Sequence, residues 1–184
     1  MGVRNLFYRI KQLFFDINYR LFKSFSLRFI KIGFVSSSFE KIRTQLLRQS
    51  GANIGEKSIV RASVFVANSS NLTIGKRSKI GEFSKLYNFN NVIIGNDVEI
   101  GTGCLIYTNE HIFDGTGALA KQGSSSAPVN IMDDCYLGAN ITILGGVTIG
   151  SRCIVGAASL VNKDLEGGYL YTGVPVKKIR KLNG

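Results

Sequence analysis

Apolar residues in the middle of this chain recur at every sixth position. Ile54/Val60/Val66, Ile74/Ile80/Leu86, Ile94/Ile100/Ile106, Ile131/Leu137/Ile143 and Ile149/Val155/Val161 form five groups of three, and every position is Ile, Leu or Val. A period of six is neither the 3.6 of a helix nor the simple alternation of a flat strand. It predicts a chain that turns a corner every six residues and stacks coil on coil, an all-β solenoid. Many beat positions are followed by glycine, as at Gly55, Gly75, Gly101, Gly138 and Gly150. Glycine suits a corner that needs positive φ or close backbone approach. Positions two before the beat are small or β-branched, such as Ser58, Ser78, Val98 and Cys135. Residues two apart on a strand share a face, so these are expected to fill the interior. Three six-residue faces make one coil. The pattern predicts about five coils over residues 52–166.

The beat breaks once, between Ile106 and Ile131. The intervening loop, 107–130, is rich in Gly, Ser and Thr, and a long excursion from a regular solenoid is more often functional than accidental. Residues 1–35 read as a helical extension, with Phe7, Ile10, Phe14, Ile17, Leu21 and Phe25 on one face and basic residues around it. Residues 36–51 read as a short helix, opened by a capping box of Ser37 and Glu40 and ended by Gly51. The segment 167–184 is basic and is expected to end in a short helix.

Composition sharpens three points. The net charge is +11, and residues 1–48 hold ten Lys/Arg against Asp16 and Glu40. Such a basic, aromatic helix over 3–32 can lie on an anionic membrane surface, or its apolar face can pack on the β-helix or on a neighbouring subunit. No nucleic-acid module is present, and the aromatics are too dense for a solvated arm, so no nucleic-acid partner is expected. No signal peptide and no membrane-spanning run are expected, which makes the cytoplasm, or the inner face of the cytoplasmic membrane, the anticipated location. Cys104, Cys135 and Cys153 each fall two residues before a beat position. They read as small interior hydrophobes rather than a reactive or metal-binding set.

The stretches Gly138–Gly150, Val155–Asp164 and Gly173–Arg180 together resemble the hexapeptide-repeat acyltransferases. The resemblance is nearest the branch of galactoside and maltose acetyltransferases and polysaccharide O-acetyltransferases. It implies a left-handed parallel β-helix, a homotrimer, and acetyl-CoA as acyl donor with no metal. Left-handedness comes from the resemblance alone, since crossovers between parallel strands are otherwise right-handed.

His111 is the only histidine and stands early in the loop. Acyl transfer to a hydroxyl needs a base near neutral pH, and imidazole fits. The resemblance implies that His111 is that base. Glu110 and Asp114 are the nearby acids that could orient it, and Asp114 is the choice the resemblance favours. It also implies that the backbone N–H of Ala139 donates to the oxyanion. The donor would run past Ala157 and Ala158, and Asn162, Lys163, Lys177 and Arg180 would contact it, with the cations on its phosphates. Val174 and Val176 depart from the family's usual residues. The expected activity is transfer of an acyl group, acetyl by expectation, to a sugar hydroxyl in surface-polysaccharide or lipid-linked glycan synthesis. The alternatives are N-acetylation of an amino-sugar and a non-enzymatic β-helix scaffold.

Overall fold

The computed structural model describes residues 33–113, 115, 117, 118 and 122–183. The aromatic segment 3–32 and Asp114 lie outside them. Glu40–Gly184 forms one compact unit; of Met1–Phe39, the described part is helical. Among the described residues no helix is long and apolar enough to cross a membrane.

The unit is a three-faced parallel β-solenoid. The first face stacks Asn53–Ile54, Leu72–Ile74, Val92–Ile94, Val129–Ile131 and Thr148–Ile149. The second stacks Ile59–Val60, Lys79–Ile80, Glu99–Ile100, Tyr136–Leu137 and Ile154–Val155. The third stacks Phe65–Val66, Lys85–Tyr87, Leu105–Tyr107, Thr142–Leu144 and Leu160–Val161. Beat residues pair in register from coil to coil, as Ile74↔Ile94 and Ile94↔Ile131 do. None of the fifteen is more than 7% exposed. Each buried side chain of this size contributes roughly 1.5–3 kcal/mol relative to exposure, which is why the beat dictates the coil.

The positions two before the beat add a second interior ladder. Ser58 Oγ donates to Gly75 O at 2.6 Å and accepts the Ser78 N–H at 2.9 Å. Ser78 repeats this with Gly95 O and the Val98 N–H. Cys104 and Cys135 are buried in the same way, their thiols donating to Gly138 O at 3.1 Å and Gly150 O at 3.2 Å. Burial pushes the Cys104 thiol above its ordinary value. Small residues with a single donor fit here because the interior is narrow and the carbonyl of the next coil must be satisfied.

The corners correct one expectation. Positive φ falls three residues after the beat, and mostly on non-glycines: Lys57, Arg77, Phe83, Asp97, Asp134, Asn140, Arg152 and Ala158. The glycine directly after the beat serves close approach instead. At Gly138 an added Cβ would lie 2.7 Å from the Ala157 N of the next coil.

Two further expectations change at the ends. The N-terminal helix, α1 (Gly33–Gln49), is already formed four residues before Ser37, so Ser37 does not cap it. Glu40 is buried and its carboxylate bonds Arg61 on the first coil. Gly51, at φ +104, does end α1; its N–H donates to Arg48 O and that of Ala52 to Leu47 O, a Schellman arrangement. The buried side of α1 then closes the open edge of the first coil. Thr44 Oγ1 accepts the Val60 N–H at 3.2 Å, Arg43 Nη2 donates to Val64 O at 2.5 Å, and Arg48 donates to Ile54 O and Gly55 O, each at 3.0 Å.

At the other end the solenoid continues past residue 166 into a sixth turn, so it has about six coils rather than five. Leu165 bridges to Ile149, Tyr169–Thr172 pairs with Ile154–Val155, and the Val176 N–H donates to Leu160 O. The expected C-terminal helix is instead a strand, Lys177–Lys181, antiparallel to Tyr169–Thr172. The last coil leaves an unpaired strand edge, and pairing satisfies it directly where a helix would not. Lys178 anchors the strand, 2.5 Å from Glu166 and 3.9 Å above the Tyr169 ring.

Candidate active site

The interrupted interval begins as a hairpin. Asn109–His111 runs antiparallel to Ser124–Ser126, with His111 opposite Ser124. The Ala127 N–H closes its base on Thr108 O at 2.9 Å, and Asn90 Nδ2 donates to Ser126 O at 3.1 Å. His111 is exposed, its ring 6.3 Å from that of Phe113. Strand alternation turns Glu110 to the opposite side of the hairpin from His111, which argues against it as the orienting acid.

Ala139 sits elsewhere, at the turn between Tyr136–Leu137 and Thr142–Leu144, where the second face meets the third. Its carbonyl accepts the Ala158 N–H at 2.8 Å, while its own N–H has no acceptor among the described residues. An unspent backbone donor at a solvent-facing corner can serve an anionic oxygen. One coil higher on the same corner stand Ala157 and Ala158, both exposed, with Ala158 at φ +57. The corner is a ledge of backbone with little side chain on it.

Asn162 and Lys163 are exposed at a different corner, from the third face to the first, after Leu160–Val161. That is also the corner from which the His111 hairpin departs. Lys177 and Arg180 lie on the terminal strand beside the second face. Arg180 lines a groove of about 540 Å³ there, with Asp97, Glu99, Asp134, Tyr136 and Arg152. The six-residue beat does not mark this groove. Its signal was faint: Glu99, Tyr136 and Ile154 each stand one before a beat and align across three coils. Among the described residues no cluster of His, Cys, Asp or Glu could hold a metal ion.

A single chain therefore brings Ala139, Ala157 and Ala158 to one corner, and carries Asn162 and Lys163 on the corner from which the His111 hairpin leaves, two coils beyond it. The width of the third face lies between the two sets.

A family model for bacterial transferase hexapeptide, six repeats, matches residues 128–163. Galactoside O-acetyltransferase of Escherichia coli K12 is 30% identical over 148 residues, 80% of this chain and 71% of that one. The chain belongs to the hexapeptide-repeat transferase family. Its fold is the family's left-handed parallel β-helix. A hexapeptide-repeat acetyltransferase from Vibrio cholerae, solved with acetyl coenzyme A, superposes with a TM-score of 0.73 at 30% identity, covering 79% of each chain. A tetrahydropyridine-dicarboxylate N-acetyltransferase from Staphylococcus aureus is 35% identical over 79 residues, 41% of this chain and 33% of that one. The family match spans Ala139, Ala157, Ala158, Asn162 and Lys163; His111, Lys177 and Arg180 lie outside it.

Proposed function

We propose that the protein transfers an acyl group, acetyl first among them, from acyl-CoA to a sugar hydroxyl during synthesis of a surface polysaccharide or its lipid-linked precursor. The observation that carries the reading is the unspent Ala139 N–H on the bare corner that continues into Ala157 and Ala158. The acetyl coenzyme A bound by the Vibrio cholerae relative supports the choice of donor.

In this reading His111 removes the proton of the acceptor hydroxyl as its oxygen attacks the thioester carbonyl. The carbonyl oxygen becomes an oxyanion that accepts the Ala139 N–H. Collapse of the tetrahedral intermediate breaks the C–S bond. The sulfur leaves and takes the proton back from the imidazolium, giving the ester and free CoA thiol. Asp114 holds the imidazole. Lys163, Lys177 and Arg180 meet the donor's phosphates, with Asn162 beside them.

The two sets of residues occupy different edges of one prism, so a working site draws on two copies. A homotrimer supplies this naturally, because a heterologous contact repeated by three-fold rotation closes on itself. The basic aromatic segment 3–32 would hold the trimer against an anionic membrane at the cytoplasmic face, where lipid-linked glycans are presented. Flotation on anionic liposomes with and without residues 1–38 tests that attachment, and equal partitioning of the two forms counts against it.

A second reading, N-acetylation of an amino-sugar, is favoured by the likeness to the Staphylococcus aureus N-acetyltransferase. A panel of sugars and amino-sugars with labelled acetyl-CoA separates the two. Transfer to amines alone would overturn the hydroxyl assignment. Unchanged transfer by His111→Ala would overturn the base assignment, and no transfer by the parent protein would leave the scaffold alternative.

A further inference from the structure

The corner that carries Ala139 continues toward the N-terminal coils, through Thr102–Gly103 and then Glu82–Phe83. The third residue of each of these turns lies in the left-handed region: Ala158 at φ +57, Asn140 at +57, Gly103 at +73 and Phe83 at +60. That region suits Gly, Asn and Asp and is unfavourable for a bulky side chain. The turn therefore gives no reason for phenylalanine at 83. Burial gives none either, since Phe83 is 64% exposed.

The backbone around Phe83 is nonetheless braced. Ser63 Oγ, one coil below, accepts the Phe83 N–H at 2.8 Å and donates to the Glu82 carboxylate. The Gly103 N–H, one coil above, donates to Glu82 O at 2.8 Å. Gly103 brings no side chain over the ring; a Cβ there would lie 2.2 Å from Asn140 Oδ1, so the Asn140 amide would have to move aside for one. An exposed aromatic ring and a fixed carboxylate thus stand side by side on the corner that leads to Ala139.

We propose that Phe83 and Glu82 form the acceptor subsite, selective for a pyranose. The C–H face of the sugar stacks on Phe83, and the Glu82 carboxylate accepts hydrogen bonds from ring hydroxyls. The inference rests on Ala139 as the oxyanion donor. The donor's arm covers Ala157 and Ala158 above that point, so the acceptor approaches from below. Phe83 lies two coils below Ala139, about 10 Å at the usual strand spacing, which leaves room for one sugar ring between the aromatic and the reacting carbonyl.

The test uses the full chain with acetyl-CoA and the methyl pyranosides of galactose, glucose and mannose as acceptors. KM for sugar, KM for acetyl-CoA and the oligomeric mass by light scattering are measured for the parent, Phe83→Ala, Phe83→Tyr and Glu82→Gln. Phe83→Ala should raise the sugar KM about tenfold, the scale of one lost aromatic contact, with the other two readouts unchanged. Phe83→Tyr should restore it, and Glu82→Gln should change the ranking of the three sugars. An unchanged sugar KM, an equal rise in the acetyl-CoA KM, or dissociation of the oligomer on losing the ring would each overturn the subsite. A parent that acetylates none of the three sugars fails at the earlier assignment and removes this one with it. A parent that does so while Phe83→Ala matches it overturns the subsite alone.

Discussion

Two corners of the solenoid arise from the same six-residue beat and end up unlike. The corner from the second face to the third repeats in four successive coils, through Glu82–Phe83, Thr102–Gly103, Ala139–Asn140 and Ala157–Ala158, with a positive φ at the same place each time. The corner from the third face to the first opens between Leu105–Tyr107 and Val129–Ile131 and releases the hairpin that carries His111. Regularity produces a continuous ledge along which an extended molecule can lie. Interruption produces a projecting side chain. The proposed transfer uses one of each: the ledge for a long, thin donor and the projecting side chain for the acceptor's proton.

Four substitutions probe this contrast. His111→Ala should lower kcat by about 10²–10⁴-fold while the thermal unfolding midpoint stays put, because the side chain is exposed and the hairpin is closed by backbone bonds. A fall in the midpoint that tracks the lost activity would remove His111 from the chemistry. Ile143→Ala, in the core beneath the third face that separates the two corners, should cost about 2–5 kcal/mol in urea unfolding. A loss below that range would mean the third face can collapse onto the cavity.

Ala157→Leu is the sharper test of the ledge. The residue is exposed, so stability should hold, while the KM for acetyl-CoA should rise about tenfold or more as the added side chain blocks the donor's path. An unchanged KM would move the donor to another corner. The smallest effect belongs to the third corner, from the first face to the second, whose Asp97 borders the Arg180 groove but has no part in the proposed transfer. There Arg77 holds the Asp97 carboxyl below its ordinary range, chiefly through their hydrogen bond. Any stability from this exposed pair is present above the usual carboxylate range and is lost as pH falls through the depressed value. Asp97→Asn should therefore leave activity and the midpoint at pH 7 unchanged at physiological ionic strength.

Much of the coil was legible in the chain. The fifteen beat residues are buried, the cysteines face the interior, and the excursion after Ile106 carries the only histidine. Of the ends, only the helix leading into the solenoid and its stop at Gly51 were legible. Lys177–Lys181 reads as a plausible helix until the open edge beside Tyr169–Thr172 is known, and Glu40 reads as a capping residue until Arg61 lies beside it. The place of Phe83 was hidden for the same reason: only the stacked coils show that it shares a corner with Ala139.

The six-residue beat by itself determined the three-faced coil, its interior and the site of its interruption, because burying one residue in six is a local requirement that a one-dimensional pattern can state. Tertiary structure decided how the two ends are closed and which corner each site residue occupies. Edge N–H and C=O groups take their partners from whichever segment reaches them, and residues tens of positions apart become neighbours only when coil stacks on coil.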